Sequence, residues 1–288
     1  VLAAQFMDEE WWYQQNLTGA HHCSSLGGKA ADGAGNIIGQ TMDLPVWMNG
    51  FQTLLLIRDV APGTDAYVVT VAGMIGLMGA NSRGFGVCVN TLLQLNHSAS
   101  GLPVAFVTRG LLERPDVAGA AHFLTALPHA SGQNYVLGDP VTVMDYECSA
   151  GGAVAYRIGV ADGPVWHTNH PFANGDLKPD LTGPIWEGNQ RSSESRLSSL
   201  DSRLSQFRPF DADLVREALS ARDDSRHPVS EVSRPGVNDR PGSFFTFAAM
   251  IAELTERPRV QVAAGAPSDH GFESYGFDGV AIAQAAAQ

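Results

Sequence analysis

NIIGQTMDL (residues 36–44), FQTLLLIRDV (51–60), AYVVTVAGMIGLMG (66–79) and GFGVCVN (84–90) follow one another along the chain, divided by Gly, Pro and Asn. Short apolar runs bounded by turn formers read as strands, and their close succession predicts an antiparallel meander. LPVAFVTRGLLER (102–114) and DVAGAAHFLTAL (116–127) carry apolar residues at helical spacing. Pro115 separates these two helices, and Asp116 is placed to cap the second. A second strand series follows in QNYVLGD (133–139), VTVMDYE (141–147), GAVAYRIG (152–159) and GPVWHTN (163–169). RSSESRLSSLDSRLSQF (191–207) and DADLVREALSARDD (211–224) read as two further helices. SFFTFAAMIAEL (243–254) and RPRVQVAAG (257–265) read as strands returning to a central sheet. This order of strands, helices, strands and helices predicts an α+β fold in which two sheets need helices on their outer faces. A four-layer αββα sandwich fits it, and a two-layer α+β fold fits the composition equally well. The polar stretches 174–184 and 223–241 are loops short enough for a single domain, and no internal repeat interrupts the series.

The chain has 288 residues, 44% of them hydrophobic and 17% charged, which suits a large buried core and excludes overall disorder. Thirty acidic residues against 18 Lys and Arg give a formal charge of −12 with no basic cluster, so neither nucleic acid nor an anionic membrane is an expected partner. No apolar run reaches the roughly 18 to 20 residues a membrane helix needs, and VLAAQFMDEEWWYQQ (1–15) has acidic residues where a signal peptide is apolar. A cytoplasmic protein is expected. The start at Val1 rather than Met points to a fragment of a longer gene product. Cys23, Cys88 and Cys148 form no CxxC pair, which excludes a disulfide scaffold and favours unpaired thiols.

Cys23 stands in NLTGAHHCSSLGGKAADGAGNIIGQTMDLP (16–45), a small, polar, Gly-rich setting. A lone cysteine is more often a packing residue than a nucleophile, and Cys88 and Cys148, at strand positions, read that way. For Cys23 the surrounding motifs decide otherwise. The ordered features are Cys23-Ser24-Ser25, GQTMD (39–43), GFGVCVN (84–90), GLPVAFVTRGLLE (101–113), ASGQNYVLGD (130–139), WHTNH (166–170), SSESRLSSL (192–200) and PVSEVSRP (228–235). Together they resemble the penicillin acyltransferase-like family of N-terminal-nucleophile (Ntn) hydrolases, which includes acyl-CoA:6-aminopenicillanate acyltransferase and is distantly similar to bile salt hydrolases.

The resemblance implies the αββα Ntn-hydrolase fold and an autoproteolytic enzyme. The bond between His22 and Cys23 is cut, residues 1–22 are the end of an upstream segment, and 23–288 form the catalytic domain. Cys23 then serves as nucleophile and its own α-amine as base. A free thiol has a pKa near ~8.5 and an α-amine one near ~7.7 to 8, so the amine accepts the thiol proton close to neutral pH without a histidine. His22 stands where the family usually has glycine, which predicts either slower cleavage or cleavage assisted by the imidazole. Asp43, 20 residues after Cys23, matches the aspartate that orients the α-amine. Gln40 matches the family glutamine, and Thr41 stands where asparagine is commoner. Asn169 and Asn90 match the asparagines that bound the oxyanion site, where an amide donor binds a developing negative oxygen without adding charge. Arg234 matches a late arginine near the nucleophile.

The activity so implied is hydrolysis of a small or non-peptide amide through a thioester, with acyl transfer to an amine as the alternative. Hydrolysis is favoured, since transfer demands a dedicated acceptor pocket that excludes water. An uncleaved, non-catalytic binding protein is the competing class. No cofactor is called for. His167 and His170, with His21 and His22, suggest a metal site, but no HExxH or cysteine cluster accompanies them and no metal is expected. Trp47, Met48, Met74 and Phe85 are positioned by sequence to give an apolar wall for the acyl group. The expected partners are the small-molecule amide and the cleaved upstream fragment as a heterodimer, with homo-oligomerisation open.

Overall fold

Asn36–Pro45 is buried at every position, and a strand buried on both faces belongs inside a sheet with a layer above and below it. The structure, a computed structural model, describes residues 2–6, 23–158, 163–206, 208–234, 236, 243–277 and 281–282. Through these residues the chain lays down β1 (Ser24–Lys29) and β2 (Asn36–Pro45), then turns at Val46–Met48. It continues with β3 (Gln52–Ala61), β4 (Thr64–Val71), β5 (Met78–Asn81) and β6 (Gly86–Thr91). Helices α1 (Val104–Leu111) and α2 (Val117–Ala126) precede β7 (Gln133–Gly138), β8 (Val143–Ser149) and β9 (Gly152–Ile158). After β10 (Val165–His167) come α3 (Pro184–Leu204) and α4 (Ala212–Leu219). The last strands are β11 (Phe244–Leu254), β12 (Arg259–Ala263), β13 (Glu273–Gly276) and β14 (Ala281–Ile282).

These strands form two antiparallel sheets, ordered β10-β1-β2-β11-β12-β13-β14 and β3-β4-β5-β6-β7-β8-β9. One core fills the space between the sheets and continues under α1 and α2, with Ile38, Met42, Val87, Val136, Phe247, Val107 and Leu124 among its members. The other lies between the first sheet and α3 and α4, built from Ile37, Leu200, Leu214, Val215 and Ile251. The architecture is the four-layer αββα sandwich, and the two-layer alternative is excluded. β11 returns to the centre of the first sheet, between β2 and β12, as the apolar run at 243–254 predicts.

Two expectations change. The tract 36–90 is not one meander, because β2 joins the first sheet and the chain crosses to the second at Val46–Met48. Likewise β10 leaves the series begun by β7–β9 and pairs with β1. Both exchanges follow from burial, since β2 turns Ile38 and Met42 toward one core and Ile37 toward the other. Gly39 on the same strand lets α4 lie close, for a Cβ there would stand 2.8 Å from Val215 Cγ1. Asp116 does cap α2, accepting from the Gly119 N–H at 2.8 Å. Helix α3 begins at Pro184, ahead of the start at Arg191 read from sequence, with proline at a first-turn position where no amide hydrogen is needed. Helix α4 ends at Leu219, and Asp223 beyond it is held by Arg203.

A glutamine joins the two sheets. Gln40 on β2 donates from Nε2 to the carbonyl of Val89 on β6, and its Oε1 accepts from the Val89 N–H at 2.7 Å. The side chain behaves as one rung of a ladder between the two sheets, alongside the Ser25–Asn90 and His167–Glu147 contacts. Removing it in Gln40→Ala leaves two buried backbone groups unpaired, at about 1–3 kcal/mol each. The expected loss is about 2–6 kcal/mol in urea unfolding, with an unchanged denaturant slope.

Candidate active site

Cys23 immediately precedes β1 and is 4% exposed, with its side chain in the core between the sheets. It borders a recess of about 10 Å³, roughly one water's worth of space, with Met42, Asp43, Leu44, Leu77, Val89, Thr91 and Gln133. Four of the expected site residues converge here. β1 and β2 pair Ser24 with Thr41, which returns Asp43 to the level of Cys23. β6 ends beside them and delivers Asn90, while the turn after β10 supplies Asn169.

A buried arginine ties these parts together, and it is Arg196 of α3. Its Nη1 donates to the Cys23 carbonyl and, at 3.0 Å, to Ser24 Oγ, and its Nη2 donates to Asn169 Oδ1 at 2.9 Å. Burial pulls the guanidinium down to about 10, against the pull of Asp43 and Cys23, and it remains charged at neutral pH. Arg234, the arginine expected from sequence, is exposed, and its charge bears on Glu231. The signal for Arg196 was present within SSESRLSSL and its continuation. Ser192, Arg196, Leu200 and Leu204 recur at intervals of four and are all buried, so this arginine lies on the helix face turned to the sheet.

The two asparagines differ in what they have left to offer. Asn169 is held on three sides, with Nδ2 donating to the Thr91 carbonyl at 2.8 Å, Oδ1 accepting from Arg196 and its N–H donating to Ser193 Oγ at 2.7 Å, and the second hydrogen of Nδ2 remains available. These bonds fix the orientation of the side chain expected from sequence at the oxyanion site. Asn90 accepts from Ser25 Oγ at 2.5 Å through Oδ1, and its buried Nδ2 has no hydrogen-bond partner.

Asp43 is fully buried, and neither carboxylate oxygen is in hydrogen-bond geometry with a partner. Burial pushes it up to about 8; the Thr246 hydroxyl and Arg196 oppose that rise, and Glu231 adds to it. In the uncut chain it is therefore largely protonated at neutral pH.

The proposed acyl wall is corrected. Phe85 is fully buried just before β6, five residues or about 16 Å of strand from Asn90, and belongs to the core. Met74 is likewise a core residue, and Trp47 is exposed. Met42, Leu44, Leu77 and Val89 are the apolar side chains that do border Cys23. Met42, Leu44 and Val89 come from β2 and β6 themselves, and Leu77 from the connection just before β5. Cys88 and Cys148 are fully buried, and burial pushes both thiols well up, as suits packing residues. His22 and His21 lie outside the described residues. Among the described residues, no three His, Cys, Asp or Glu side chains gather as metal ligands, and no helix is long and apolar enough to cross a membrane. His167 is instead paired with Glu147 at 2.9 Å.

Two facing antiparallel sheets covered by helices, with Cys23 immediately before β1, are the Ntn-hydrolase type of fold, and the family match makes the chain an enzyme of the amide hydrolase and acyltransferase class. The family follows from sequence. Residues 31–265 match the profile of the acyl-coenzyme A:6-aminopenicillanic acid acyl-transferase family, and the chain belongs to it. Cys23 falls just before the matched region, so its place rests on the geometry above. Among solved structures, the chain is similar to a mutant of conjugated bile acid hydrolase from Clostridium perfringens. The identity is 11%, covering 89% of this chain and 92% of that one, with a TM-score of 0.50. Penicillin V acylase from Agrobacterium tumefaciens is 12% identical over 84% of this chain and 83% of its own, with a TM-score of 0.48. A search of curated protein sequences finds no match.

Two outcomes follow. Arg196→Met strands three buried acceptors and is expected to cost about 3–5 kcal/mol in urea unfolding, well above the cost of Arg234→Met at its exposed position. In a Cys23→Ala chain, Asp43 keeps its proton when folded up to about pH 8 and loses it near 3.8 when unfolded. Folding takes up a proton between those values, so stability falls as pH rises from about 4 to about 8. Adding Asp43→Asn is expected to flatten that slope in unfolding curves measured across the range.

Proposed function

We propose that this chain is a cysteine amidase activated by cleavage of its His22–Cys23 bond. The observation that carries the reading is Asp43, a carboxyl buried beside Cys23 whose burial outweighs the Thr246 hydroxyl and Arg196 and holds it at about 8. Cleavage creates an ammonium at Cys23, a cation that would supply the missing donors and return Asp43 to its ionised form. In the other direction, a carboxylate so placed orients the amine toward the thiol.

The reaction then runs on the residues of the site. The α-amine takes the thiol proton, and the sulfur attacks the amide carbonyl carbon to form a tetrahedral intermediate. Asn90 Nδ2, a donor left open, stabilises the negative oxygen. As the C–N bond breaks, the α-ammonium passes its proton to the leaving nitrogen and a thioester remains. Water attacks the thioester, giving one proton to the amine; the C–S bond breaks, the acid departs and the sulfur regains a proton. An acceptor amine in place of water makes the same sequence an acyl transfer. Arg196 and Asn169 hold the backbone of Cys23 throughout, and the Arg196 charge favours negative charge on the nearby sulfur.

The substrate class is a small amide with an apolar acyl portion, which Met42, Leu44, Leu77 and Val89 would receive as the recess opens. Conjugated bile acids, named for one of the structural neighbours, are a reasonable first probe of that class. The cleaved upstream fragment is expected to stay bound as a heterodimer partner: Gln5 Nε2 donates to the Gly73 carbonyl at 2.7 Å, and Gln5 Oε1 accepts from the Ile75 N–H at 2.8 Å.

Intact mass and N-terminal sequencing of the wild-type protein beside Cys23→Ala test the reading. A fragment beginning at Cys23 is expected in the wild type and absent from the variant. Incubation with a panel of aliphatic and aryl acyl amides should then yield an acyl adduct released by hydroxylamine. An intact chain in both proteins would leave the amine blocked, and the enzyme reading would give way to a binding protein.

A further inference from the structure

The polar groups between the sheets do not stop at Asn90. Asn134 on β7 stands opposite Asn90, Glu147 on β8 stands opposite Asn134, and His167 on β10 stands opposite Ser25. All are buried, and Asp145 lies two residues from Glu147 on the same strand.

Counting donors and acceptors determines the charge of His167. Its Nδ1 is 2.8 Å from the Thr168 carbonyl, which can only accept, so Nδ1 carries a hydrogen. Its Nε2 is 2.9 Å from Glu147 Oε1. Glu147 also accepts from the backbone N–H groups of Phe172 at 2.6 Å, Ala173 at 2.9 Å and Asn174 at 2.6 Å. Three such donors keep a carboxylate ionised, so the fourth contact must also come from a donor, and Nε2 carries a hydrogen as well.

The surroundings agree. Glu147 and Asp145 from β8 favour the charged ring and raise its pKa against its own burial. From the following turn, His170 is pulled down to about 4, by its burial first and then by the charge of His167, so it remains neutral. Arg196 and Glu194 of α3 bear on His170 with opposite sign. Tyr156 of β9 and Phe172 meet the His167 ring edge-on at centroid distances of 5.7 and 5.1 Å.

We propose that His167 is a permanent imidazolium and a positioning residue for Cys23, an inference that rests on the amidase reading for its functional consequence. The pair His167–Glu147 clamps both ends of the segment from Thr168 to Asn174. Between those ends sits Asn169, which holds the Thr91 carbonyl and receives Arg196, which in turn holds the Cys23 carbonyl. His167 touches none of the reacting atoms and acts through this chain of contacts.

The test uses the full chain labelled with ¹⁵N and ¹³C in histidine, asparagine and arginine. In the wild type, both ring nitrogens of His167 are expected at imidazolium frequencies from pH 5 to 8; a neutral tautomer at pH 7 would overturn the proposal. In His167→Gln and, separately, Glu147→Gln, the Asn169 amide and Arg196 guanidinium signals should move, with hydrogen exchange about tenfold faster or more. Signals unchanged in both folded variants would also overturn it. On an accepted amide, kcat is expected to fall about tenfold or more with KM within about threefold, and the double variant to recover part of the loss. The ring-nitrogen and exchange readings need no turnover. A protein with no amidase activity that still shows the imidazolium and the displaced signals would sink the amidase reading and leave the clamp standing. If one variant fails to fold, the wild-type titration and the other variant still decide.

Discussion

A single buried cation constrains the whole catalytic end of the molecule. A guanidinium taken out of water is tolerable only where acceptors surround it, and Arg196 finds them on three segments: the Cys23 carbonyl, Ser24 Oγ and Asn169 Oδ1. Helix α3, the first strand and the turn after β10 are therefore locked in one arrangement. Ser193, one turn earlier on the same helix, adds to this by receiving the Asn169 N–H. The outer helical layer thus does more than cover an apolar face; it reaches through the sheet edge and sets the position of Cys23.

The polar groups around that cation fall into two sets. Arg196, Asn169, Gln40 and Glu147 have their main partners within the fold, and each links segments distant in sequence. Asp43 and the Nδ2 of Asn90 do not. A buried group without a partner costs stability, and a chain selected for stability alone would have filled both positions. Under the proposed reading, an amine terminus at Cys23 and a reacting oxygen would be the partners of these two groups. The well-partnered set holds the surroundings of Cys23 in place.

Much of the fold was legible along the chain. The strand runs, the proline break between α1 and α2, the Asp116 cap and the late apolar strands all appear where local pattern placed them. Cys23, Asp43, Asn90 and Asn169 were legible as well. Arg196 was hidden for a physical reason: in a helix rich in serine, an arginine on the inner face looks like one more solvated residue, and only the interval of four from Ser192 to Leu204 marks its side. Phe85, Met74 and Trp47 erred the other way. An apolar residue near a strand end has no sequence label saying whether it faces the core, the site or water, and here the core takes two of them and water the third.

The sequence by itself determined most of the elements and the chemistry available, because hydrophobic period, turn residues and a cysteine in a polar, Gly-rich setting are local properties. Which sheet β2 joins, which arginine is internal, and which groups hold Asn90 and Asn169 were decided only in three dimensions. Those outcomes depend on pairing and burial between residues as far apart as Cys23 and Arg196, and a linear pattern does not record which acceptor a given donor will meet. The charge of His167 belongs with them, since it follows from counting the hydrogen bonds of Glu147, whose donors come from a turn 25 to 27 residues away.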